Sequence, residues 1–227
     1  CFIMLFIWGL LLFFTCDNND GFNFSDNDGI LVVDYGVGAP CGGSIMNYNA
    51  EIYRAYDGGV VPLNQNLEIL SLEKLGNYND LGTIYHSEVI DGNIWFAITD
   101  YVALNKVKVI NSNGFEVASY DVGPFPGDFA NWNNTFTFVA NEGNYGASNG
   151  SISMINNAGQ VSHYLDIGDV VQSLEVYGDK LIVLVNNSHK ITIFDITDEG
   201  LSLPGIEIST EGSSPREMVI VDGRAYF

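Results

Sequence analysis

The residues able to bind or react gather in polar loops set between apolar runs. Tyr35, Tyr101, Phe125, Tyr145 and His189 bring flat, amphipathic groups to those loops, and Asn141, Glu142, Asn144 and Asn187 bring hydrogen-bond donors and acceptors. Rigid aromatics beside adaptable polar side chains suit the recognition of a ligand better than its conversion. Arg216 is one of only eight basic residues, and two roles are open to it: pairing with an anionic ligand, or neutralising a neighbouring carboxylate.

Catalytic patterns are thin. His86, His163 and His189 fall in three separate segments and only His189 stands in a long loop, so no histidine metal triad and no metal site are expected. HExxH and CxxC are both missing from the sequence, and the carboxylates are too scattered to nominate an acid–base pair. No catalytic residue and no cofactor is therefore assigned. Gly143, Gly146 and Gly150 lack the GK[ST] element and the following helix of a phosphate loop, which leaves turns of positive φ as their expected role. Trp95 and Trp132 are read as packing residues.

Composition narrows the function further. Twenty-eight acids against eight bases give a net charge of −20, the opposite of the basic footprint that nucleic acid requires. The charge also disfavours adsorption to an anionic membrane, and as a solvated acidic exterior it favours solubility. Residues 1–16, CFIMLFIWGLLLFFTC, form an uncharged run too short to span a bilayer, for which about 20 apolar residues are needed. The run reads as a signal segment. Its end resembles a bacterial lipoprotein signal with Cys16 as the lipidated residue, although Phe13, Phe14 and Thr15 depart from the usual small residues; a plain secretion signal is the alternative. Loss of Cys1 and lipidation of Cys16 would leave Cys41 alone, so no disulfide framework is expected. Residues 17–29, DNNDGFNFSDNDG, read as an acidic flexible tether. SDNDG lacks the acid that a helix-loop calcium site needs, since Phe24 occupies its position.

The elements that must carry the loops follow from periodicity. ILVVD, NIWFAITD, TFTFVAN, KLIVLVNN and RAYF are apolar, β-branched runs, each preceded by a tight-turn pair or triplet such as Asp91-Gly92, Tyr177-Gly178-Asp179 or Asp222-Gly223. Helical periodicity does not persist in any segment after residue 16. The turns recur at roughly 40–45 residues, the length of a four-stranded propeller blade. The interval before Gly92 is longer, and its excess is placed between Glu51 and Gln65. VDYGVGAPCGGSI and ANEGNYGASNGSI also match at one constant offset, with Gly36 on Gly143, Gly43 on Gly150 and Ser44 on Ser151. Residues 30–227 are thus read as an all-β propeller of four-stranded blades. First-to-second-strand turns then share one face, and the long loops share the other with the blade connectors VGPFPGD, DIGDVVQ and TEGSSPR. Elaboration on that second face marks it as the recognition surface.

A resemblance agrees with this layout. EGSSPREMVIVDGRAYF, with Pro215 before the inner strand and Asp222-Gly223 in the turn, resembles the repeat of YVTN-type (YncE-like) β-propellers; Pro126 holds the matching place earlier. NEGNYGASNGSIS and VVQSLEVYGDKLIVLVNNSHKI resemble surface lipoprotein propellers of Bacteroidetes-like bacteria, a group that includes the BtuG-type cobalamin-binding proteins. The resemblance implies a ring of seven blades, of which about four and a half are present. It also implies a place at the outer-membrane surface of the cell envelope, with the periplasm as second choice, and a lipid anchor as the only membrane contact. The implied function is non-enzymatic capture of a small ligand such as a corrinoid for outer-membrane uptake. An interaction scaffold or adhesin that binds an envelope protein, such as an outer-membrane transporter, is the alternative, and a propeller lyase or hydrolase the third reading.

Overall fold

The computed structural model describes residues 3–7, 10–14 and 44–227. Tyr35, Cys16, Cys41, the tether 17–29 and the run from Ile30 lie outside the described residues. Within the apolar segment, β1 (Ile3–Ile7) and β2 (Leu10–Phe14) pair antiparallel.

From residue 44 onward the chain builds antiparallel sheets in succession. The first joins β3 (Ile45–Tyr48), β4 (Glu51–Tyr56) and β5 (Gly59–Pro62). Most of the interval between Glu51 and Gln65, expected as an insertion, is therefore strand. The alternation of Tyr53 and Ala55 toward the core holds β4, and β5 is buried along its whole length. The irregular excess comes later, across residues 63–82 with a short 3₁₀ turn at Ser71–Glu73.

Two regular four-stranded meanders follow. One is β6 (Thr83–Ile90), β7 (Asn93–Thr99), β8 (Asn105–Ile110) and β9 (Glu116–Asp121). The other is β10 (Pro126–Trp132), β11 (Phe136–Asn141), β12 (Gly150–Asn156) and β13 (Val161–Gly168). The next sheet runs β14 (Val171–Tyr177), β15 (Lys180–Val185) and β16 (Lys190–Thr197), after which β17 (Gly200–Leu201) and β18 (Ile206–Ser209) both pair with β16. A hairpin of β19 (Val219–Val221) and β20 (Arg224–Tyr226) completes the described chain.

Local chemistry explains the tight turns. Asp57-Gly58, Asp91-Gly92 and Asp222-Gly223 each place both residues at positive φ, between 47° and 73°. That is the mirror-image turn whose twist matches the strands on either side. The glycines of the 141–150 loop divide by cause. Gly143 and Gly146 adopt φ of +74° and +79°, as expected. Gly150 does not; a Cβ there would lie 2.7 Å from the Gly168 carbonyl oxygen and 2.9 Å from that of Glu142, so close strand approach excludes a side chain.

The core lies between sheets. The second strands are apolar on both faces, and Ile94, Phe96, Phe138, Val139, Val183 and Leu184 are fully buried. Each apolar cluster bridges neighbouring sheets: Tyr53 and Val60 with Phe96, Val107 and Val109 with Phe129, Phe138 and Ile152 with Val183 and Phe194. Burying one such side chain is worth about 1.5–3 kcal/mol, so face-to-face stacking of blades holds the molecule together. Strand β10 lies against both β6 and β14, which makes the first strand of each sheet an inner strand. The arrangement is a partial β-propeller. Among the described residues no helix is long and apolar enough to cross a membrane.

Half of the eight bases serve the sheets. Lys106 pairs with Asp121, Lys108 with Glu116, Lys180 with Asp195 and Lys190 with Glu207, each across neighbouring strands. Exposed pairs of this kind contribute about 0–1 kcal/mol each. Their use at strand edges leaves the inner mouth of the propeller dominated by carboxylates.

Candidate functional site

The inner strands share one irregularity. Pairing slips by one residue at Tyr85 in β6, at Gly127 in β10 and at Gln172 in β14. A bulge re-aims the unpaired side chain, and here Tyr85 and Gln172 converge on Glu142. The Tyr85 hydroxyl donates to Glu142 Oε1 at 3.0 Å and Gln172 Nε2 donates to the same oxygen at 3.1 Å. Gly127 makes room between them, because a Cβ there would stand 3.1 Å from Glu142 Oε1 and 3.2 Å from the Tyr85 ring. Arg216 occupies the corresponding place ahead of β19, and its charge acts on Tyr85 and Glu142. Burial pushes the Glu142 carboxyl up, against the two hydrogen bonds and Arg216, which pull it down. Burial and the Glu142 charge hold the Tyr85 hydroxyl firmly protonated.

Aromatic rings border this carboxylate. Tyr101 meets Tyr85 edge-on at 6.1 Å between centroids and Phe125 at 6.2 Å. Both Tyr101 and Phe125 have positive φ, 61° and 56°, a rare conformation for bulky side chains that costs roughly 1–3 kcal/mol. Backbone bonds hold them there. Tyr101 N donates to Thr99 Oγ1 at 3.0 Å, Phe125 N to Asn105 Oδ1 at 2.9 Å, and Glu142 N to the Phe125 carbonyl at 3.0 Å. Asp100 accepts from the amides of Val102, Ala103 and Leu104, all at 2.8 Å, and those bonds lower its carboxyl.

A second network joins the neighbouring loops. Asp169, buried and unmarked in the sequence, accepts from Gly146 N at 3.0 Å on each oxygen and from Asn187 Nδ2 at 2.6 Å. His189 Nδ1 lies 2.7 Å from the Ser213 carbonyl, so its ring is tied to the next connector rather than to Glu142. Asn144 and Tyr145 project from the exposed loop tip. Asn141 requires a correction: it is fully buried, and its amide donates to Ser153 Oγ at 3.0 Å and Ser151 Oγ at 3.2 Å. Alternation along β11 turns it away from the surface that Glu142 faces. Asn141 is a strut, and Tyr101, Glu142 and Arg216 are the sequence-selected residues that come together, joined by Tyr85 and Gln172.

One residue further along the inner strands lies a titratable cluster that the sequence did not reveal. His86 Nε2 is 3.6 Å from Asp128 Oδ1 and 4.0 Å from Glu88 Oε2. Asp128 Oδ1 accepts from Phe129 N at 2.9 Å, and Oδ2 accepts from Leu174 N at 2.8 Å on the next inner strand. Burial raises the carboxyls of Asp128, Glu175 and Glu217, and the Asp128 charge adds to the rise at the latter two. Burial opposes the imidazolium of His86, and Glu88, Asp128 and Glu217 outweigh it, so its pKa rises. A pattern of several histidines does not mark this cluster, because one imidazole meets carboxylates from two strands.

On the tight-turn face a cleft of about 240 Å³ lies between the second and third sheets, lined by Asp91, Asn93, Trp95, Tyr120, Asn131 and Asn156 among others. Its polar groups are largely committed: Asn131 Oδ1 caps the Asn134 amide, and Asn156 Oδ1 accepts from Ala158 and Gln160. Trp95 stacks on Tyr120 at 5.9 Å.

Solved structures share this architecture at low sequence identity. A Bacteroides caccae protein of unknown function superposes with a TM-score of 0.57 at 12% identity, covering 82% of this chain and 69% of that one. Sqt1 of Saccharomyces cerevisiae gives 0.59 at 12%, covering 86% and 56%. Apo AztD of Citrobacter koseri gives 0.52 at 15%, covering 78% and 49%. The chain thus spans about half the length of the latter two. These likenesses establish the β-propeller-like all-β class and nothing finer. No protein-family model and no curated protein matches the chain.

Proposed function

We propose that this chain is a non-enzymatic binding propeller of the cell envelope, one that captures a small ligand on its long-loop face. The observation that carries the reading is the convergence of Tyr85 and Gln172 on Glu142 beside the strained aromatics Tyr101 and Phe125. Strained, well-braced rings next to a partly desolvated carboxylate form a pre-organised platform of the kind that favours binding. The platform suits a ligand with a flat apolar body and hydrogen-bond donors at its edge. A corrinoid, with its macrocycle and peripheral amides, is the specific candidate within YVTN-type surface lipoproteins. Anchoring through Cys16 at the outer-membrane surface, beside a transporter, belongs to the same reading.

Isothermal titration of the purified chain with cyanocobalamin, and with glycan and peptide panels, tests it. Saturable binding that Tyr101→Ala or Glu142→Ala weakens at least tenfold, with unchanged folding, supports it. Wild-type chain that binds no member of these panels, or binding indifferent to both substitutions, refutes it. Val102 and Tyr145, strongly exposed on the same face, favour the second reading, an envelope-protein partner. In that case pull-down from envelope extracts returns a partner that Val102→Asp releases.

A further inference from the structure

We propose that His86, Glu88 and Asp128 form a binding site for one divalent transition-metal cation, with zinc as the representative ion. The inference stands apart from the ligand platform at Glu142. Its first support is spacing. The three donor atoms all lie within 4.8 Å of one another, and the imidazole nitrogen stands 3.6 and 4.0 Å from the two carboxylate oxygens. Hydrogen bonds to nitrogen close to 2.7–3.2 Å, so neither contact is one. Ligands held at about 2.0–2.2 Å around a single cation sit roughly 3–4 Å from each other. Both separations from the imidazole fall in that range, and the two carboxylates come within 4.8 Å of each other.

Its second support is how the donors are held. The period-two alternation of β6 puts His86 and Glu88 on one side of the strand, and β10 lies alongside to supply Asp128. The amides of Phe129 and Leu174 orient the Asp128 carboxylate, and the Phe129 ring packs beside the imidazole at 5.5 Å. Backbone donors and an apolar wall of this kind fix metal ligands in place. Electrostatics agree, because the charges of Glu175 and Glu217 also act on the cluster, and Arg216 acts on Glu217. Several carboxylates around one imidazole leave an excess of negative charge that a dication would neutralise.

The donor types select the ion. One imidazole nitrogen with two carboxylates suits zinc, manganese or iron, whereas calcium and magnesium favour all-oxygen sites. Three protein ligands also leave a coordination position open, the pattern of sites that exchange their ion or take a further ligand.

The test uses the full chain, stripped with a chelator and titrated with zinc chloride by calorimetry, with metal content read after dialysis. A variant with Cys1, Cys16 and Cys41 all changed to serine excludes thiolate binding. One equivalent of zinc per chain is expected in that variant, undisturbed by a large excess of calcium. His86→Ala and Asp128→Asn should each weaken it more than ~100-fold, beyond the ~10–100-fold that loss of an outer partner costs. His163→Ala and His189→Ala should leave it unchanged. Should His86→Ala fail to fold, cobalt(II) replaces the readout: the thiol-free chain should give visible d–d bands that zinc abolishes. Absence of zinc binding, affinity unmoved in folded His86→Ala, or no zinc-sensitive cobalt spectrum overturns the proposal.

Discussion

Asp169→Ala should uncouple the two long loops that frame the recognition face. The carboxylate is 7% exposed and satisfies two donors, Gly146 N and Asn187 Nδ2. A hydrogen bond to a charged group contributes about 1.5–3 kcal/mol. Water can reach Gly146 at the loop tip once the carboxylate is gone, so the lower part of that range applies there. Together the two losses come to about 3–4.5 kcal/mol. For a domain of this size each kcal/mol shifts Tm by about 2–4 °C, which predicts a fall of roughly 6–18 °C. Urea melts followed by circular dichroism would read the stability, and amide exchange at Gly146 would read the loop. Asp169→Asn keeps one acceptor and should lose about half as much. A loss below about 1 kcal/mol, or exchange at Gly146 unchanged from wild type, would show that the loops are not braced through this residue.

Other outcomes follow from the packing and the charges. Phe138→Ala, fully buried between the third and fourth sheets, should cost about 3–5 kcal/mol, while Leu165→Ala, largely exposed, should stay within about 0.5 kcal/mol; paired urea melts compare them. Gly150→Ala should destabilise more than Gly146→Ala, because the first meets two carbonyl oxygens and the second meets open space and bears only the cost of its φ, about 1 kcal/mol; equal losses would count against close strand approach as the cause. Burial raises Glu142 above the ordinary value of 4.5, so the folded chain binds a proton the unfolded chain has released. Stability should then fall as pH climbs from that value through the raised one. Glu142→Gln should make that decline shallower, and thermal melts across the acid range would expose an unaltered slope.

Much of the fold could be read from local chemistry. Asp91-Gly92 and Asp222-Gly223 announce hairpins because few residue pairs accept two positive φ angles. NIWFAITD and KLIVLVNN announce strands buried on both faces because each carries five apolar residues in a row. Trp95 and Trp132 do pack against rings, Tyr120 and Phe136. The interval 51–65 misled because its strands are short and its excess length follows β5, where apolar and polar residues mix without a period.

The site was harder to read because its residues meet across blades. Glu142 receives Tyr85 from 57 positions upstream and Gln172 from 30 positions downstream. Tyr85 stands outside the long loops and connectors of the recognition face, and Gln172 closes the connector DIGDVVQ; both stand at bulges in inner strands. A bulge leaves no mark on hydrophobic alternation, yet it turns a side chain from its neighbouring blade toward the mouth of the ring. Aligning the inner strands on their tight turns would have placed Tyr85, Gly127, Gln172 and Arg216 in one row, and His86, Asp128, Ser173 and Glu217 in the next. The first row is polar at three of four positions and the second at all four, in strands whose other residues are mainly apolar. A core has no use for such a pattern, and hydrogen-bonded or ionic convergence at the inner edge accounts for it. In a propeller the chemistry is therefore written between repeats, at equivalent positions, and comparing one repeat with the next finds it where a linear motif cannot.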